Sequence, residues 1–111
     1  MVTPMRVADI ARARSGDKGA HANVGVWTDS DDHYGLLLRE LSAERVKAHF
    51  GPLCRGPVHR YELPNLRALN FVLEDALDGG GPVSLRTDAQ GKTYALWLLQ
   101  MSLPVGGATK P

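Results

Sequence analysis

The sequence predicts an α+β two-layer sandwich, a mainly antiparallel sheet with helices on one face. Three observations carry that expectation. Stretches with strand character, Met5 to Ala13, Asn23 to Thr28, Val58 to Leu63 and Val83 to Thr87, are interleaved with segments of helical spacing. Turn chemistry punctuates them, from Gly16 and Gly19 through Gly51-Pro52 to Gly79-Gly80-Gly81-Pro82. No internal repeat or long linker divides the 111 residues, so 1–104 reads as one domain and 105–111 as a loose polar tail.

Taken in order, Met5 to Ala13 is a first strand of small and apolar residues broken by Arg6, Asp9 and Arg12. A Ser-Gly-Asp-Lys-Gly turn joins it to a second strand over Asn23 to Thr28. Asp29-Ser30-Asp31-Asp32 then supplies N-cap candidates, and its carboxylates suit a helix N-terminus. Tyr34, Leu37, Leu38 and Leu41 follow at i, i+3, i+4 and i+7, one face of that helix. Ser42 caps a second segment in which Ala43, Val46 and Phe50 share a face, and Gly51-Pro52 stops it.

Val58 to Leu63 alternates, with His59, Tyr61 and Leu63 on one face and Val58, Arg60 and Glu62 on the other. Pro64-Asn65 opens what reads as the clearest helix, with Asn65 as its cap. Leu66, Leu69, Leu73 and Leu77 take its core side, with Arg67, Asn70 and Glu74 opposite. Val83 to Thr87 alternates as another strand. Thr93 to Met101 is open to two readings. Asp88-Ala89-Gln90-Gly91 is hairpin chemistry and would make it a strand, yet the segment is apolar on every side, as in a buried helix.

The most informative stretch is Arg14-Ser15-Gly16-Asp17-Lys18-Gly19, followed by Asn23-Val24-Gly25-Val26. A hydroxyl, a carboxylate and an ammonium stand between two glycines, which let a backbone turn sharply and offer its N–H groups. With Arg14 and Lys18 beside it, such a compact turn can hold a carboxylate or phosphate. The plainer reading is a tight connection in which Ser15, Asp17 or Asn23 bonds only to the backbone.

Composition removes several function classes. Net charge is +1, with no Lys/Arg stripe interleaved with aromatics, so nucleic acid is not an expected partner. No apolar run approaches the ~20 residues a membrane span needs, and the first residues lack a signal-peptide core. Cys54 is the one cysteine, which excludes an intrachain disulfide, fits a reducing interior and makes the cytoplasm the expected location. The chain has no GxGxxG, and Gly91-Lys92-Thr93 lacks the earlier glycine of a P-loop, Arg86 standing there. No nucleotide cofactor is expected, nor any other. The histidines, 21, 33, 49 and 59, form no short regular ligand spacing, so no metal is expected. A reactive Cys54 would need a base such as His49 or His59, and an inert thiol is the plainer reading.

Three blocks in order are similar to one known family. Ala11-Arg12-Ala13-Arg14-Ser15-Gly16-Asp17-Lys18-Gly19 with Asn23-Val24-Gly25-Val26 is the first, and Leu41 to Phe50 is the weaker second. Gly56-Pro57-Val58-His59-Arg60-Tyr61-Glu62-Leu63-Pro64-Asn65-Leu66-Arg67-Ala68-Leu69-Asn70-Phe71-Val72-Leu73 is the third. Together they resemble the small ferredoxin-fold domain of the acyclic terpene utilisation (AtuA-like) family. The resemblance implies a ferredoxin-like sandwich, favours a helix over Thr93 to Met101, and implies a domain that is commonly the tail of a longer polypeptide.

Two functions stay open. One is an accessory or subunit-like module that assembles with a larger AtuA-like or acyl-CoA-metabolising protein in branched-chain, terpenoid or acyl-CoA breakdown. The lack of a complete catalytic constellation favours it. The other is a small enzyme or ligand-binding domain in which Arg14, Ser15, Gly16, Asp17, Lys18, Gly19 and Asn23 receive an anionic group, carboxylate or CoA phosphate, with Asp17 as a general base. A homo-oligomer, a dimer first, is expected in either case, because Trp97, Leu98, Leu99 and Met101 offer more apolar surface than a small core absorbs.

Overall fold

A computed structural model describes residues 5–18, 21–76 and 92–103. The main sheet has four strands, β2 (Arg12–Lys18), β3 (His21–Trp27), β4 (Val58–Leu63) and β5 (Ala68–Leu73), in the order β2-β3-β5-β4 with every neighbour antiparallel. Two hairpins, β2–β3 and β4–β5, are thus joined through their second strands. Between them in sequence lie helices α2 (Asp31–Glu40) and α3 (Ala43–Phe50), and α4 (Lys92–Leu99) follows β5. The architecture is ferredoxin-like α+β.

One face of the sheet is apolar by strict alternation. Ala22, Val24 and Val26 of β3 and Leu69, Phe71 and Leu73 of β5 are fully buried. They meet Leu37 and Leu41 from the α2 side, Val46 and Phe50 of α3, and Tyr94 and Leu98 of α4 in a single core. The helix starts follow the expected chemistry. Ser30 Oγ accepts from His33 N–H and Ser42 Oγ from Arg45 N–H, each satisfying an otherwise unpaired donor. Gly51 ends α3 at φ +54°, a conformation that favours glycine.

Three local expectations are overturned. Met5 to Ala13 is not one strand. β1 (Met5–Arg6) gives way to a single helical turn, α1 (Val7–Ile10), before β2 begins. Asp9 accepts the Arg6 N–H at 2.8 Å, the Val7 N–H donates to Met101 O, and the Val7 side chain is buried, so the chain is drawn inward there. β1 pairs instead with β6 (Ser102–Leu103), as Met5↔Leu103 and Arg6↔Ser102.

Ser15 to Gly19 is not a compact turn. Ser15, Gly16, Asp17 and Lys18 continue β2, opposite Val24, Asn23, Ala22 and His21. Extending the ladder to Lys18↔His21 covers the buried part of β3 as far as Ala22. Gly16 has no positive φ, and a Cβ on it would meet nothing within 4 Å. Gly19 lies outside the described residues.

The helix expected from Pro64-Asn65 is the largest correction. Pro64–Leu66 is one 3-10 turn without a side-chain cap, so Asn65 caps nothing, and Arg67 turns the chain at φ 49°. Ala68–Leu73 is then a central strand. Leu69 and Leu73 fit helical spacing and strand alternation equally well. Phe71 between them decides, because it completes a period of two. The expected strand over Val83 to Thr87, the Gly79–Pro82 stop, Leu77 and the tail lie outside the described residues. The two-way reading of Thr93 to Met101 resolves as helix α4.

Candidate functional site

The helices leave the second face of the sheet uncovered by any described element. Its residues follow from the register. Arg12 stands opposite Trp27, then come Ala68 and Leu63; Arg14 stands opposite Gly25, then come Asn70 and Tyr61. Gly16 and Asn23 lead in the same way to Val72 and His59. Tyr61 is 53% exposed and Leu63 41%, whereas Trp27, Asn70 and Val72 are half-buried. The glycines at 16 and 25 are diagonal neighbours on adjacent strands, so the backbone there is bare, with the Asn70 side chain leaning towards Gly25.

Arg12 and Arg14, both exposed and two residues apart on this face, have no hydrogen-bond or ion-pair partner among the described residues. The other arginines that meet carboxylates do so elsewhere. Arg67 pairs with Asp31 at 2.6 Å and Arg45 with Glu40 at 3.2 Å. Arg60, on the helix side, pairs with Glu62 at 2.9 Å and also donates to Leu38 O and Leu41 O at the end of α2.

Beside Arg12 the sheet ends in a cleft of about 410 Å³, lined among others by Asp9, Arg12, Trp27, Asp29, Ser30 and His33. The Thr28 hydroxyl, donating to Ile10 O at 2.7 Å, ties its two walls together. An unpaired guanidinium and an indole that line one cleft suit a flat anionic group.

Of the residues singled out from the sequence, the described side chains divide between the two faces of the sheet. Ser15 alternates to the helix face, where its Oγ accepts the Ala95 N–H at 3.0 Å. Arg14, Gly16 and Asn23 belong to the uncovered face, and the Asn23 amide bonds to nothing among the described residues. Asp17 and Lys18 are placed by their backbone alone, at the far end of the hairpin. What the sequence reading missed is the row formed by Arg12, Trp27, Ala68 and Leu63. Extending strand alternation through Lys18 would have found it.

Other chemistry-bearing groups are occupied. Cys54 is buried, its thiol donates to Gly56 O and Glu74 O, and burial pushes its pKa up, which describes an inert thiol. His59 pairs with Glu74 at 2.5 Å, His21 Nδ1 accepts the Asp75 N–H, and His49 stacks on Trp97 at 4.8 Å between centroids. Trp97 Nε1 donates back to His49 O, and His49 Nε2 bonds to Trp97 O at 2.7 Å. Among the residues on which the dimer expectation rests, Trp97 is 43% exposed, whereas Leu98 and Met101 are buried in the core.

No helix among the described residues is long and apolar enough to cross a membrane. No curated protein and no solved structure matches the chain. The AtuA ferredoxin-like domain family matches residues 5–104, nearly the whole length, in keeping with the sheet, the one-sided helices and the three sequence blocks, and the chain belongs to that family.

Proposed function

We propose that this chain is an accessory, subunit-like domain that works by assembling with a larger AtuA-like or acyl-CoA-metabolising protein. The uncovered sheet face carries the reading. Arg12, Arg14 and Trp27 form a patch whose two cations have no partner among the described residues, and no nucleophile there is bonded to a base. Family membership supports a setting in branched-chain, terpenoid or acyl-CoA breakdown, and the single buried thiol is compatible with a reducing cytoplasm. Co-expression with such a larger protein, followed by co-purification, tests it. The pair should purify together, and Arg12→Glu combined with Arg14→Glu should separate them while circular dichroism stays unchanged. An isolated chain that turns over a substrate alone would overturn the reading.

A second reading keeps a ligand in place of a protein. Arg12 and Arg14 beside the 410 Å³ cleft favour an anionic group, a carboxylate or a CoA phosphate. Thermal-shift measurements with acyl-CoAs and short branched acids separate the two. A ligand-dependent shift abolished by Arg12→Ala supports the ligand, and its absence supports assembly.

A further inference from the structure

We propose that β4 is a self-association edge: two copies pair their β4 strands antiparallel about a two-fold axis through Tyr61, joining two four-stranded sheets into one of eight. The proposal rests on the reading of this chain as an assembling module and names a second contact of that module.

β4 is an end strand of the sheet, with β5 as its one neighbour among the described residues. In an antiparallel ladder alternate residues turn their N–H and C=O groups to opposite sides. The Glu74 N–H donates to Pro57 O at 3.0 Å, so Pro57 and Glu74 are a bonded pair. By alternation His59, Tyr61 and Leu63 bond to β5, and Val58, Arg60 and Glu62 turn their backbone groups outward. The other side of β5 gives the same phase. The Thr28 N–H donates to Arg67 O, which assigns Leu69, Phe71 and Leu73 to β3 and leaves Ala68, Asn70 and Val72 for β4.

Natural edges are guarded by charged side chains, which β4 has in Arg60 and Glu62, and often also by a bulge or an internal proline. β4 has neither: its register runs unbroken from Val58↔Leu73 to Leu63↔Ala68, and Pro57 and Pro64 stand just outside it. A two-fold axis normal to the sheet keeps the helices of both copies on one side and sets outward residues opposite outward residues. Centring the axis on Arg60 or on Glu62 would face like charges. Centring it on His59 leaves Arg60 opposite Val58. Centring it on Tyr61 sets Arg60 opposite Glu62 of the second copy, twice, and lays the two exposed Tyr61 rings side by side. The Glu62 carboxylate, 52% exposed, has room for that second cation.

The register makes a sharp test. Tyr61 would face its own copy as a non-hydrogen-bonded pair, Cα atoms about 4.5 Å apart, within disulfide reach. In the full chain, Tyr61→Cys should give a covalent dimer on mild oxidation, and His59→Cys should not. The wild type should sediment as a dimer at micromolar concentration. Glu62→Arg should raise its dissociation constant about tenfold. Without any variant, hydrogen exchange at the Arg60 and Glu62 amides should slow as protein concentration rises. A monomer at micromolar concentration, or cross-linking at His59→Cys in place of Tyr61→Cys, overturns the proposal. Either failure leaves co-purification with the larger protein intact, because that contact depends on Arg12 and Arg14 at the opposite edge.

Discussion

The Ser15 hydroxyl accepts a hydrogen bond from the Ala95 N–H, joining β2 to the first turn of α4 across 80 positions of sequence. Ala95 is the fourth residue of α4, so the bond ties that turn of the helix to the sheet beneath it. The serine of the most ligand-like motif in the sequence is thereby committed to holding the fold.

Replacing Ser15 by alanine should therefore lower stability by about 1 kcal/mol, the typical net worth of one hydrogen bond. Urea denaturation measures it. Binding of partner or anion should be unchanged, and a variant of full stability with lost binding would return Ser15 to the site.

Arg14 should behave in the opposite way. It is exposed and bonds to nothing among the described residues, so Arg14→Ala should stay within ~0.5 kcal/mol of wild type in the same titration. Partner or anion capture should fall, and more steeply at low salt, where surface charges act furthest.

Gly56→Ala should cost about 1–3 kcal/mol by crowding. A Cβ at Gly56 would lie 2.7 Å from Glu74 O and 2.9 Å from Glu74 Cβ, in the segment where the Gly56 N–H donates to the same oxygen. The backbone of 55–57 would have to retreat from β5, carrying with it the carbonyls of Cys54 and Gly56 that the Lys47 ammonium holds. A melting temperature equal to wild type would show that the approach is looser than this.

Alkaline pH should destabilise the protein in two steps. Burial raises the pKa of Cys54 above 9.0 and those of Tyr34 and Tyr94 above 10.0. The folded state keeps these protons where the unfolded chain has lost them, so the associated stability is complete below about pH 8.5 and drains away as pH rises through the folded values. Denaturation midpoints measured from neutral pH upwards should fall accordingly. Cys54→Ala should delay the onset towards the tyrosine range, and a midpoint flat to pH 11 would refute the assignment.

The helices before β4 were legible because their signals are local. Ser30 and Ser42 announce their caps, and Tyr34, Leu37 and Leu41 keep helical spacing down to the core. The segment 64–73 was not, because Leu66, Leu69 and Leu73 satisfy a helix on paper while a sheet position between β3 and β4 asks for Leu69, Phe71 and Leu73. Tertiary pairing outweighed local pattern there. The candidate site was half legible for a related reason. In the sequence Arg14 stands beside a turn, and its true neighbours Arg12, Gly25 and Asn70 come together only once β2 is a strand.

The pairing of β1 with β6 has a mechanical side. Met5 and Leu103 face each other at the open end of that short ribbon, so tension between the two ends of the domain arrives across it and breaks its bonds one after another. Loss of the ribbon next exposes the bond from the Val7 N–H to Met101 O, and then the end of α4. A domain pulled from both sides by larger neighbours would therefore peel open from its ends at low force, while the four-stranded sheet behind α4 stays folded.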